Sequence, residues 1–328
     1  MRFLVLDYGG TFVKYSVMDE NKQMYEKGEV PAPIDTLEHF KEVLNELYAP
    51  FKGTVEGVTV SFPGFIEAGT NRLTGGGAYL SILKDMSLTE VFSEIIDVPV
   101  IVENDGKCGA LAEAWGGALE GAHSGIVYII GTGIAGGLLL DGKLVRGVHG
   151  TAGELSYTTS DWSMNPLQAA QFHCTASALV AKVCIAKGMP LTNFASLYEA
   201  TGVAATWKHG EPDPALEGVE MDGRKVFELL EAGDPDVVEI YDQFCKDIAG
   251  VLVNLQIVYD PEFIAIGGGI SRQERLVRDI ENALPHAMQG LLAMLPKPQL
   301  VRCHYQSDAN QYGAVYNYLV NYHPEMLK

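Results

Sequence analysis

A carboxylate placed where an apolar strand gives way to a helix is well positioned to take a proton from a bound ligand. Residues 97–106 have that form. The apolar run Asp97-Val98-Pro99-Val100-Ile101-Val102 ends in Glu103-Asn104-Asp105-Gly106, and a helical pattern follows. Open α/β sheets bind ligands outside the carboxyl ends of their strands, which is where Asp105 falls. Asp105 is therefore the first candidate for proton chemistry. The competing role is structural, since an Asp just before a helix is also a good N-cap.

Two turns elsewhere have residues suited to anions. Asp7-Tyr8-Gly9-Gly10-Thr11 follows a short apolar run, and Gly131-Thr132-Gly133 follows another. Backbone N–H groups and a Thr hydroxyl in such turns can point at a phosphate. Phosphoryl transfer also needs a carboxylate near Mg²⁺. Asp7 could hold that ion through water, because Mg²⁺ keeps several of its waters, and Lys14 could sit near the transferred group. Gly267-Gly268-Gly269 after a third apolar run suits close approach of a flat nucleoside to the backbone. Each turn alone reads equally well as a tight hairpin.

Residues 131–136, Gly-Thr-Gly-Ile-Ala-Gly, match the GxGxxG spacing. A dinucleotide fingerprint requires a helix directly after it, and here the strand-like GLLLDGKLV follows, so that reading fails. No GxxxxGK[ST] is present.

The positioning elements are legible in outline. Strands are expected at Phe3–Leu6, Val13–Met18 and Met24–Val30. An Asp35/Glu38 capping box then opens a helix with Leu37, Phe40, Leu44 and Leu47 at helical spacing. Val55–Val60 is a strand ending in Ser61-Phe62-Pro63-Gly64, and residues 69–80 read as a long glycine-rich loop. Helices follow at Leu88–Ile96 and Lys107–Leu119. The second half has strands at Gly125–Ile130, Leu138–Leu140 and Leu144–Arg146, with Asp141-Gly142 as a hairpin turn. Both halves thus run strand, Gly/Thr turn, strand, polar turn, strand. That is a repeat of architecture rather than identity, and it implies two lobes with a cleft between them. Beyond it lie a helical stretch at Gln168–Ala186 and an ambiguous Gly/Pro-rich stretch at 192–222. A helix runs from Asp234-Pro235 to Tyr259, where Asp260-Pro261 stops it. A strand at Glu262–Ile266, a helix capped by Ser271, a strand at Leu300–Tyr305 and a helix at Gln311–Val320 complete the chain.

Composition narrows the function classes. The chain has 328 residues, 47% of them hydrophobic, which supports a packed core. A formal net charge of −19 argues against electrostatic binding to nucleic acid or anionic lipid. Five cysteines with no CxxC pair point to a reducing compartment. No apolar run is long enough to span a membrane, and the N-terminal run breaks at Asp7. A soluble cytoplasmic protein is expected.

The segments LVLDYGGTFVK, VENDGKCGALAE, IIGTGIAGGLLLDGKLVRGVHGTAGELSY and FIAIGGGIS, in that order, resemble the ROK family of sugar kinases. The resemblance implies an α/β fold of two actin-like (ribonuclease H-like) lobes. The small lobe would hold residues 1–118, with the C-terminal helix 310–328 returning to it, and the large lobe residues 119–309. It implies ATP-dependent phosphorylation of a sugar hydroxyl with Mg²⁺, usually the 6-hydroxyl of a hexose, and a homodimer. By the same resemblance Asp7, Gly9, Gly10, Thr11 and Lys14 fall on the first phosphate motif, and Gly131, Thr132 and Gly133 on the second. Gly267, Gly268 and Gly269 fall on the adenosine motif. Asn104 matches a sugar-binding Asn, Asp105 the catalytic base, and Glu154 a carboxylate that binds sugar hydroxyls.

Two departures stand out. Tyr157 replaces the family's commonest His, and no CxCGxxGCxE zinc segment follows it, so structural zinc is not expected. His173-Cys174 is adjacent and has no supporting ligands in the sequence, so it is read as core packing or a surface role rather than metal binding. The loop Gly75–Tyr79 lacks the Asn-rich sugar contact of many members, which leaves Gly64, Gly77 and Tyr157 as the further substrate-contact candidates and room for a bulkier sugar. These features resemble the branch labelled β-glucoside kinase or N-acetylmannosamine kinase. The alternative is a sugar-sensing ROK regulator that lacks the DNA-binding domain. Asp7 comes too early for a helix-turn-helix to precede it, and Asp105 is present, so the kinase is the expectation.

Overall fold

The computed structural model describes residues 1–159, 165–191, 195–305 and 308–327. Residues 160–164 of the segment after Tyr157, and 192–194 of the Gly/Pro-rich stretch, lie outside the described residues. The chain divides into two compact units. One comprises Met1–Val127, Gly136–Gly153 and Cys303–Lys328, the other Tyr128–Ala135 and Glu154–Arg302.

The first unit is built on strands β1 (Arg2–Tyr8), β2 (Phe12–Asp19), β3 (Met24–Pro31), β4 (Gly57–Phe62) and β7 (Val100–Asn104), in the order β3-β2-β1-β4-β7. The first three are an antiparallel meander, and β1, β4 and β7 are parallel. This is the ribonuclease H-like arrangement that the resemblance implied. Alternation along β1 decides where its side chains go. Leu4, Leu6 and Tyr8 join one core with Phe40 and Leu44 of helix α1 (Leu37–Tyr48) and with Val91 and Phe92 of helix α2 (Leu88–Ser93). Phe3 and Val5 join another with Cys108 of helix α3 (Asp105–Ala114) and with Ala314, Val315 and Tyr318 of the C-terminal helix Ala309–Tyr322. Asp7 continues the second stripe and so points toward those two helices. They pack closely enough that a Cβ on Gly313 would overlap the Cys108 carbonyl.

A second five-stranded sheet has the order β10-β9-β8-β11-β12, from β8 (Ser124–Ile130), β9 (Ile134–Leu140), β10 (Lys143–Leu144), β11 (Phe263–Gly267) and β12 (Leu300–Arg302). The unit boundary falls within β8 and β9. Strand order is therefore the same in both sheets, which is the repeat read from the sequence. The Asp141-Gly142 turn has the expected left-handed residues, with φ 51° and 69°. Helix α4 (Ala176–Ala186) and helix α5 (Pro235–Tyr259) belong to the second unit. Asp234 caps α5 through its side chain, Pro235 follows, and a left-handed Asp260 ends it, as expected. No described helix is long and apolar enough to cross a membrane.

Several expectations are corrected. The N-cap of α1 is Thr36, whose Oγ1 accepts from His39 N, while Asp35 instead pairs with the His39 ring at 2.6 Å. The glycine-rich loop at 69–80 contains a strand, β6 (Leu73–Gly75), which pairs with β5 (Phe65–Ile66). β9 starts at Ile134 rather than Leu138, because Gly136 and Gly137 lie inside it, with Gly137 backed closely by Ala110. Ser271 does not cap the following helix, which starts at Arg275. Its hydroxyl donates to Gly268 O at 2.8 Å.

Candidate active site

In the first unit, register alone brings Asp7 of β1 beside Ser61 of β4, and Ser61 beside Glu103 of β7. Phe62 then stands beside Asn104, so Asp105 follows directly at the carboxyl end of the parallel strands. Ser61 Oγ donates to Asp7 Oδ1 at 2.7 Å, and Asn310 Nδ2 donates to the same oxygen at 3.2 Å. No described residue donates to Oδ2. Burial raises the carboxyl's pKa above the ordinary aspartate value, opposed by those two hydrogen bonds and by the charge of Lys14. Lys14 is the cross-strand partner of Asp7 in the β1–β2 pair.

The turn after β1 is closed by Gly9 N donating to Phe12 O at 2.9 Å. Gly10 and Thr11 are exposed. The Tyr79 hydroxyl donates to Gly9 O at 2.9 Å and stays protonated, because burial pushes its pKa up. The 75–79 segment is thereby tied to the first Gly/Thr turn.

Asn104, not Asp105, is the N-cap of α3. Its Oδ1 accepts from Lys107 N at 3.1 Å. Its Nδ2 donates to Gly64 O and to Asp105 Oδ1, both at 3.0 Å. Gly106 N donates to that same Asp105 oxygen at 2.8 Å. Both amide protons of Asn104 are thus engaged in fixing the strand end and the neighbouring carboxylate. Gly64 and Gly77 are explained by backbone packing. A Cβ on Gly77 would stand 2.7 Å from Pro63 O, and one on Gly64 2.8 Å from Gly76 O.

Cys108 is fully buried. Burial, followed by the charges of Glu103, Asp7 and Asp105, raises its pKa far above the ordinary thiol value, so it is inert packing.

In the second unit, Gly131 N donates to Gly133 O at 2.9 Å and closes a turn that leaves Thr132 and Gly133 exposed. Ala176 N, at the start of α4, donates to Gly131 O at 2.9 Å. Gly131, Thr132, Ser177, Tyr198, Asp222 and Gly269 help line one cavity of about 330 Å³. Gly268 has φ 91°, and a Cβ there would overlap the backbone of Ile130; Gly269 has open space around it. Gly267 ends β11. Glu154 is half-buried, one residue before a 3₁₀ turn, Leu155–Tyr157, that Ser156 ties to Ile134 O at 2.6 Å. The Tyr157 ring is exposed. His173 is half-buried with Nε2 2.9 Å from Leu167 O, and Cys174 is buried, so both pack as read.

The reading from sequence missed Ser61, Asn310, Tyr79 and the buried pair Glu103 and Lys107. Ser61 carried a faint signal, as a polar residue inside an otherwise apolar stretch. Asn310 lies 303 residues from Asp7 and carried none.

Comparison with known proteins places this geometry in context. A family model described as ROK family matches residues 3–319. A glucokinase of Halalkalibacterium halodurans is 28% identical over 311 residues, covering 88% of each chain. A β-glucoside kinase of Listeria innocua is 27% identical over 321 residues, covering 97% of this chain and 98% of that one. Among solved structures, a ROK family protein from Streptococcus pneumoniae in complex with sucrose aligns with a TM-score of 0.79 at 26% identity. It covers 98% of this chain and 99% of that one.

Proposed function

Because the chain belongs to the ROK family, we propose that it is an ATP-dependent sugar kinase. Its acceptor would be a sugar hydroxyl, the 6-hydroxyl of a hexose, of N-acetylmannosamine or of a β-glucoside. Relatives named glucokinase and β-glucoside kinase support the class. The observation that carries the reading is the junction of β7 and α3. Asn104 does the capping and turns its amide onto Asp105, so the carboxylate is oriented without being the cap.

Asp105 acts as general base. The proton of the attacking hydroxyl passes to its carboxylate as the sugar oxygen bonds to the γ-phosphorus. The bond from that phosphorus to the bridging oxygen breaks, and ADP leaves with the electron pair. Glu154 orients the sugar hydroxyls. Asn104 orients Asp105, and its Oδ1 retains one lone pair that could meet the sugar. The exposed turns at Gly9–Thr11 and Gly131–Gly133 offer N–H and hydroxyl donors to phosphates, and Gly269 lies in a cavity suited to a nucleoside.

The residues also fit Mg²⁺. Among the described residues no cluster of three His, Cys, Asp or Glu gathers. Nucleotide-bound Mg²⁺ needs only one or two carboxylates beside phosphate and water. Asp7 would hold it, and the ion would neutralise charge on the phosphates. Asp105→Asn tests the reading. We expect kcat with the best sugar to fall about 10²- to 10⁴-fold, with unchanged circular dichroism because the cap is Asn104. A variant with near-normal kcat would remove Asp105 as the base.

A further inference from the structure

Strand β7 is the edge of the first sheet and pairs with β4 alone. Val58 N donates to Pro99 O at 2.9 Å, and Val58 stands beside Val100. In a parallel pair, that register turns the N–H and C=O of Ile101 and Glu103 toward β4 and those of Val100 and Val102 outward. Outward backbone groups at an edge normally meet water. Val102 is only 5% exposed, so its N–H and C=O have little water and no neighbouring strand.

Along that edge the first unit encloses a cavity of about 420 Å³. Val102, Glu103 and Arg146 line it, with Asn317 and Tyr322 of the C-terminal helix and with Glu67 and Asn71 of the segment after β5. Arg146 Nε donates to Glu103 Oε2 at 2.6 Å, and its Nη2 to Asn317 Oδ1 at 3.0 Å, so the guanidinium is both fixed and neutralised. Asn317 is 2% exposed, and its Oδ1 also accepts from Asn321 Nδ2 at 3.1 Å. That uses both lone pairs of the oxygen, while no described residue accepts from Asn317 Nδ2 or from Arg146 Nη1. Burial of such donors is unfavourable until something accepts from them. Acceptors remain as well. Asn71 gives its Nδ2 to Thr89 Oγ1 at 2.9 Å and keeps Oδ1. Glu67 accepts from Thr70 through Oε2 at 2.6 Å and keeps Oε1.

Unused donors and unused acceptors therefore face one space. A hydroxyl both donates and accepts, so a polyol can serve either kind. An anion is disfavoured, because the lining holds one basic residue against two acidic ones and the basic one is already paired. A cation would meet the Arg146 and Asn317 donors. The half-exposed Tyr322 ring adds an apolar surface, and the volume is that of a small-molecule site.

We propose that this cavity binds a neutral polyhydroxylated molecule of mono- or disaccharide size. The Val102 backbone, Asn317 Nδ2, Arg146 Nη1 and Asn71 Oδ1 hold its hydroxyls. Glu103 joins the site to the junction of β7 and α3, since its Oε1 accepts from Asn104 N at 2.9 Å. The site lies in the first unit alone and its test needs no ATP, so it stands or falls apart from the kinase reading.

The test follows the valine methyl resonances of the full chain by NMR without nucleotide. Glucose, cellobiose and myo-inositol are titrated in turn, with sulfate as the anionic comparison. Expected are saturable shifts of the Val100 and Val102 methyls with at least one polyol, and none with sulfate. Ala68 lines the same cavity, so Ala68→Phe places a ring in it and should weaken that binding about tenfold or more. Tyr322→Ala, changed at a half-exposed ring, should weaken it about threefold or more. No shift with any polyol up to about 10 mM overturns the site. Shifts that persist unweakened in Ala68→Phe place the ligand elsewhere and overturn it too; if that variant does not fold, Tyr322→Ala decides in the same way. Sulfate that moves these methyls as strongly as any polyol overturns the ligand class.

Discussion

The two Gly/Thr turns lie at the same point of two sheets with the same strand order, yet they carry different groups. Two residues before Gly9 stands Asp7, buried under Ser61 and Asn310. Two residues before Gly131 stands Ile129. The first turn is locked by the Tyr79 hydroxyl, the second by the first amide of α4. The lesson is that a repeated backbone can be divided by side chains. Carboxylates gather at the parallel strand ends of the first unit, while the second unit offers backbone donors and a cavity. On the proposed reading, the first unit supplies the base and the metal carboxylate, and the second supplies the nucleotide cavity and Glu154 for the sugar.

The sharpest way to break that contrast is to remove the charge that distinguishes the turns. Asp7→Asn should lower kcat about 10²-fold or more, an electrostatic loss of the size seen for single transition-state contacts. It should also raise stability without ligand. Because the native carboxyl has a raised pKa, the native state binds its proton more tightly than the unfolded chain does. Its stabilising contribution is full below the ordinary aspartate value and is lost as pH rises through the native value. Asparagine avoids that loss, so thermal scans at pH 7 should show a gain of about one to three degrees that shrinks toward about pH 4. A less stable variant would contradict the account of Asp7.

The second turn should respond through backbone instead. Gly268→Ala puts a Cβ into Ile130 at a positive φ, and we expect a loss of about 2–4 kcal/mol in urea unfolding. ATP KM should rise with it while sugar KM holds. The smallest effect serves as the control. Thr36→Ala removes only the α1 cap, so stability should fall by about 1 kcal/mol with kcat unchanged.

How much of this was legible in the sequence follows from the range of each interaction. β1, β2 and the turn between them were readable because alternation and the Gly-Gly-Thr run are local signals. Caps slipped by one residue at both Asp35–Thr36 and Asn104–Asp105. Neighbouring short polar side chains are equal candidates until the backbone shows which oxygen reaches the amide. β9 was read too short because glycine usually interrupts a strand, and only packing against Ala110 explains Gly137. The contacts of Asn310 with Asp7, and of Lys107 with Gly150, join distant parts of the chain and leave no spacing to read.

The central claim is that this chain transfers phosphate from ATP to a sugar. The most direct measurement is ADP release by the purified protein with ATP and Mg²⁺, with no sugar and then with glucose, N-acetylmannosamine and cellobiose-type β-glucosides in turn. We expect little release without sugar, strong stimulation by at least one of them, and recovery of the phosphorylated sugar in equal amount. Sugar-independent ADP release, or sugar binding without any ADP release, would contradict it.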